Sequence, residues 1–135
     1  MRINRQYIVG KDMEKNIVYV VNGSNHPALF SDELTTRNFS WVGHDPPAEL
    51  VQKGSIKCHY KVRYRLNYGS CIVYLPDPTN PAVVKVQFDI PQRGVTPQQY
   101  VVLYKDEVCL GGGPIDVQGP SYYELKKEVP ALVCE

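Results

Sequence analysis

Hydrophobic and polar residues alternate along much of this chain, and a period of two predicts strands rather than helices. Residues 6–9 and 17–21 are apolar, β-branched runs parted by the polar stretch 10–16, which suits a hairpin connection. A hairpin alone is marginal in water. It therefore needs a partner surface, either later in the chain or in something preceding Met1, and the abrupt start reads as part of a truncated element. Asn22-Gly23-Ser24-Asn25 reads as a turn-rich stretch, and residues 26–38 read as one short helical turn or an irregular crossover. Phe39, Trp41 and Val42 begin a strand, and Asp45-Pro46-Pro47-Ala48 is the best candidate linker, because paired prolines block both helix and central-strand pairing.

Further strand patterns cover residues 56–68, 71–75, 83–90 and 100–104, separated by a turn at Gly69-Ser70 and by proline-rich loops at 76–81 and 91–97. Lys105-Asp106 makes a two-residue turn into 107–110, and Gly111-Gly112-Gly113-Pro114 precedes a last strand at 115–117. Short strands at regular spacing predict a small antiparallel β-barrel. The expected fold is mainly β: a β-hairpin and connector at 1–45, a barrel at 46–120, and a loosely held tail at 121–135.

One strand carries an unusual charge pattern. Between residues 56 and 66, Ile56, Cys58, Tyr60, Val62, Tyr64 and Leu66 fall on one face, and Lys57, His59, Lys61, Arg63 and Arg65 on the other. Same-face residues of a strand stand about 6 to 7 Å apart, close to the phosphate spacing of an RNA backbone. No aspartate or glutamate occurs from Leu50 to Pro76, so nothing within that window neutralises Lys53, Lys57, Lys61, Arg63 or Arg65. Two readings stay open: an RNA-binding rail formed by Lys53, Lys57, His59, Lys61, Arg63 and Arg65, or a solvated edge protected by charge.

Composition narrows the alternatives. The formal net charge is +1, so nucleic-acid binding has to come from local clustering. The ten tyrosines and many valines agree with strands. No apolar run is long enough to span a bilayer, and no signal-peptide core follows the charges near Met1. Cys58, Cys71, Cys109 and Cys134 lie too far apart in sequence for a zinc knuckle; free thiols packed as small hydrophobes are expected, with a disulfide framework or a nucleophile as the other readings. The glycine triplet lacks the Lys-Ser or Lys-Thr of a phosphate loop and suits a bulge or a close strand crossing. His26, His44 and His59 show no metal spacing, and no nucleophile, base and oxyanion site assembles. Phe39 and Trp41 fit core packing or base stacking, and Tyr122-Tyr123 a docking tail.

Four stretches carry a family resemblance: Tyr7-Ile8-Val9-Gly10-Lys11-Asp12, His26-Pro27-Ala28-Leu29, Trp41-Val42, and most specifically Glu107-Val108-Cys109-Leu110-Gly111-Gly112-Gly113. With Cys58, Arg63-Tyr64-Arg65, Cys71 and Val95-Thr96-Pro97 in order, the chain resembles the C-terminal part of the tRNA-specific 2-thiouridylases, which exchange the C2 oxygen of the wobble uridine for sulfur. The tail Gly119-Pro120-Ser121-Tyr122 with Leu125 is more similar to the mitochondrial, taurinomethyluridine-modifying type than to the bacterial one. The resemblance implies a partial central domain followed by a translation-factor-like barrel, both helping to hold tRNA. It implies a parent transferase that uses ATP and a persulfide sulfur donor, with its pyrophosphatase domain outside these residues. No cofactor and no catalytic residue is expected in this chain, which alone should not thiolate. The expected partner is tRNA and the expected compartment the mitochondrion, with a bacterial-type cytoplasmic protein as the alternative. A second function stays open, a protein-interaction barrel docking on an N-terminal catalytic domain or a sulfur-relay protein. No membrane association is expected.

Overall fold

The structure, a computed structural model, describes residues 6–22, 26–62, 69–93 and 99–131. In chain order it consists of strands β1 (Gln6–Asp12) and β2 (Ile17–Asn22), a turn of 3₁₀ helix at Pro27–Leu29, strands β3 (Phe30–Thr36) and β4 (Ser40–Trp41), and helix α1 (Ala48–Lys53). Strands β5 (Ser55–Val62), β6 (Gly69–Tyr74), β7 (Lys85–Arg93), β8 (Tyr100–Lys105) and β9 (Val108–Gln118) follow, and then helix α2 (Tyr122–Leu125). β1 and β2 form a two-stranded antiparallel sheet. The second sheet runs β3-β7-β6-β5-β8-β9-β4, and an added β3–β9 pairing closes six of its strands into an antiparallel barrel. Closure leaves no free edge among those six. The mainly β fold expected from the sequence, a small antiparallel barrel preceded by a hairpin, is what the chain forms.

Alternation supplies the core. Ile56, Cys58, Tyr60 and Val62 of β5 are buried, as are Cys71 and Val73 of β6, Val86 and Phe88 of β7, Val101 and Leu103 of β8, and Ile115 of β9. Phe39 and Trp41 belong to the same cluster, with ring centroids 4.6 Å apart, and the Trp41 indole Nε1 donates to the Pro81 carbonyl at 2.8 Å. Of the two readings for these aromatics, core packing holds. The glycine triplet explains how β4 fits. Ser40 pairs with Gly112 and Trp41 with Gly111; a Cβ on Gly113 would stand 2.8 Å from the Phe39 Cα, and one on Gly111 would collide with the Ser40 carbonyl oxygen. The register of β8 against β9 also shifts between Leu103 and Tyr104. The triplet is thus a close crossing with a bulge beside it.

Several expectations are corrected. Residues 30–36, read as crossover, are β3, a full barrel strand paired with both β7 and β9; the barrel therefore takes in residues well before 46. The Pro46-Pro47 stretch opens a helix instead of acting as a bare linker: Glu49 and Lys53 pair one turn apart, Leu50 is buried, and Gly54 ends α1 in the left-handed region at φ 81°, its N–H donating to the Leu50 carbonyl. Gly69-Ser70 lies inside β6, and the two segments expected around the glycines are one strand, β9. Residues 121–125 are held, not loose. Ser121 and Glu124 form a reciprocal capping box at the start of α2, and Tyr122 is buried against Leu29 and Phe30.

Candidate nucleic-acid interface

The candidate site is the outer face of β5. Because Ile56, Cys58, Tyr60 and Val62 point into the barrel, Lys57, His59 and Lys61 point out, Lys57 exposed and the other two half-buried. Their cross-strand neighbours are neutral: Lys57 faces Ile72, His59 faces Ser70 on one side and Tyr104 on the other, and Lys61 faces Val102. Lys57 makes no ion pair among the described residues. Arg63 and Arg65, named from the sequence as the continuation of this row, lie outside the described residues.

Lys53 is a different case. It sits on α1, not on the strand, and its Nζ stands 3.2 Å from Glu49 Oε1. The same carboxylate holds Lys105 Nζ at 2.6 Å through Oε2. Those hydrogen bonds, from Lys105 first and then Lys53, keep the Glu49 carboxyl below the usual carboxylate range. The acid-free window in the sequence ends one residue short of Glu49, so Lys53 does have a local partner. Asp89 of β7, beyond β6, and Asp106 of the β8–β9 turn, beyond β8, border a depression of about 250 Å³ that Lys57, His59, Ser70 and Lys105 also line. Two carboxylates therefore flank one end of the cationic row, a feature that strand alternation could not reveal because they come from β7 and the β8–β9 turn.

The other candidates take structural places. His26 Nδ1 accepts from the Ala28 N–H at 3.1 Å, capping the 3₁₀ turn. His44 follows Gly43 in a left-handed turn at φ 75°. Among the described residues no group of three or more His, Cys, Asp or Glu side chains is placed to hold a metal ion. No helix among them is long and apolar enough to cross a membrane. Cys58 and Cys71 are buried and Cys109 is exposed; Cys134 lies outside the described residues.

A closed six-stranded antiparallel barrel with an appended hairpin, its outer wall cationic along one strand, defines a small β-barrel domain. The family model of the aminomethyltransferase beta-barrel domain matches residues 31–115, a span that runs from β3 into β9, and the chain belongs to that family. Relatives agree with the resemblance read from the sequence. The tRNA-specific 2-thiouridylase of Protochlamydia amoebophila is 44% identical over 124 residues, 92% of this chain and 31% of the relative. That of Chlamydia trachomatis serovar L2 is 41% identical over 119 residues, 88% of this chain and 30% of the relative. The mitochondrial tRNA-specific 2-thiouridylase 1 of Gallus gallus is 35% identical over 121 residues, 90% of this chain and 28% of the relative. The chain thus spans under a third of the length of these relatives, which come from bacteria and from a mitochondrial protein alike.

Proposed function

We propose that this chain is the tRNA-holding part of a tRNA uridine 2-sulfurtransferase, gripping the RNA backbone while chemistry takes place in residues outside it. The observation that carries the reading is the outward row on β5: Lys57, His59 and Lys61 on the solvent side of a strand whose other face is sealed in the core. A rigid barrel wall fixes cations at strand spacing, which suits a phosphate chain better than side chains on a mobile loop would. Arg63 and Arg65 extend the row in sequence, and Lys53, shared with Glu49, contributes less. The names of the relatives support tRNA as the nucleic acid. The tail at 119–125 supports the mitochondrial type. ATP and a persulfide donor would then serve the parent enzyme, not this chain.

The test is a filter-binding salt titration with folded tRNA. Replacing Lys57 and Lys61 by Ala together should weaken binding across all tRNAs and flatten the salt slope by about 1.4 to 1.8, since each lost phosphate contact on RNA is worth about 0.7 to 0.9. Unchanged affinity and slope, with the fold intact by thermal melting, would refute the rail.

A second reading rests on a separate observation. The β1–β2 hairpin leaves Ile8, Ile17, Val18, Tyr19 and Val20 exposed, an apolar ribbon suited to packing against a preceding catalytic domain or a sulfur-relay protein. Co-purification with a separately expressed catalytic domain, insensitive to salt and lost on replacing Val18 and Val20 by Ser, would favour it.

A further inference from the structure

Cys58 on β5 and Cys71 on β6 are direct register partners, and their sulfurs lie 3.6 Å apart. Both are buried in the barrel wall, and both are among the residues that line the depression bordered by Asp89 and Asp106. Opposed residues of an antiparallel pair have Cα atoms about 4.5 to 5.5 Å apart, inside the range of about 4.4 to 6.8 Å that a disulfide spans. That spacing and the 3.6 Å between the sulfurs put the pair within reach of a disulfide.

The two thiols are not equivalent. Their shared hydrogen bond holds the Cys58 thiol below its ordinary range, against the opposing effect of burial, and the Lys105 ammonium acts in the same direction. That hydrogen bond and then burial push the Cys71 thiol up. The Cys58 sulfur is thus the better first nucleophile, and Cys71 has to give up its proton before it can attack in turn.

We infer that Cys58 and Cys71 form a reversible dithiol–disulfide site in the barrel wall, oxidised by exchange with a low-molecular-weight disulfide that enters through the depression beside them. With glutathione disulfide, the Cys58 thiolate attacks one sulfur, the S–S bond of the glutathione dimer breaks, and one glutathione thiolate leaves. Cys71 then attacks the Cys58 sulfur of the mixed disulfide and expels the second glutathione. The two protein protons end on the two released glutathione thiols, so one disulfide is reduced as one is formed. The product ties β5 to β6 directly behind Lys57 and His59.

The experiment uses the full chain carrying C109S and C134S, equilibrated in glutathione buffers of rising oxidised fraction, quenched with acid, alkylated with N-ethylmaleimide and weighed intact. The expected result is a switch from a species with two maleimides to one with none and two hydrogens lighter, which proteolysis resolves as a Cys58–Cys71 cross-linked peptide pair and dithiothreitol reverses. Two maleimides at every buffer ratio, or a glutathione adduct that accumulates on one cysteine without closing, would overturn it. The same peptide map on the unsubstituted chain gives the answer even if the double variant folds poorly.

Discussion

At the scale of single residues, shape is set most sharply where the chain crosses itself. Gly113 lies against the Phe39 backbone with room for hydrogen and nothing more, and Phe39 is in turn buried beside Trp41. Gly113→Ala should therefore force β4 away from β9 and destabilise the fold by about 1 to 3 kcal/mol, the usual cost of overpacking, read as a lower urea midpoint with an unchanged slope. An equal midpoint would mean that β4 yields freely. The β5 residues were legible in the sequence for a physical reason: a strand sealed on one side must alternate, so Lys57, His59 and Lys61 could be placed outward from Ile56, Cys58, Tyr60 and Val62 alone. The partnership of Glu49 with Lys53 and Lys105 was half legible. A spacing of four was visible on what proved to be a helix, whereas the reach to Lys105 depends on tertiary folding.

Among the elements, the ones missed were those whose burial does not follow from hydrophobicity. β3 reads Phe30-Ser31-Asp32-Glu33-Leu34-Thr35-Thr36, a polar run, and it enters the barrel with Ser31 and Thr36 buried. Thr36 manages this by exchanging bonds with Val84: its Oγ1 accepts from the Val84 N–H at 3.0 Å and its own N–H donates to the Val84 carbonyl at 2.9 Å. For α2 a signal was present, since Ser121-Tyr122-Tyr123-Glu124 spells a capping box. Its anchor is Tyr122, whose hydroxyl donates to Asp32 Oδ1 at 2.6 Å while Lys127 reaches Asp32 Oδ2 at 3.2 Å. Burial, and then the neighbouring Asp32 carboxylate, push the phenol from near 10 up to about 12. A phenol whose folded value is raised contributes stability fully below its unfolded value and loses it as the pH climbs through the folded one. The wild-type chain should accordingly lose stability between about pH 10 and pH 12 more steeply than Tyr122→Phe does, and the variant should be about 0.5 to 1.5 kcal/mol less stable near neutrality for want of the hydrogen bond. Urea unfolding of both proteins at about pH 8 and about pH 11, on either side of the unfolded pKa, measures the difference directly; parallel curves would mean that the bond to Asp32 carries no weight.

At the scale of the molecule, the described residues form two sheets of unequal security. The barrel is closed and its core continuous, while the hairpin is linked to it through a small cluster in which Val21 packs on Leu29, Phe30 and Tyr122. Hydrogen exchange followed by mass spectrometry should find the amides of β1 and β2 opening well before those of β5, β6 and β8, because a two-stranded ribbon whose β2 side chains are nearly all exposed opens at little cost; equal protection would show the two sheets to be one cooperative unit. The seam of the barrel bears on how it comes to exist at all. Leu34 meets Gln118 and Thr36 meets Ile115, so the first strand of the barrel finds one of its two partners in β7 and the other only in the last strand. During synthesis β3 leaves the ribosome long before β9 does, and pairing of such sequence-distant strands is slow, of the order of milliseconds to seconds for small β domains. A greasy strand left waiting that long would invite other chains. The polar character that concealed β3 from hydrophobic pattern reading is what lets it wait in water with its edge unpaired.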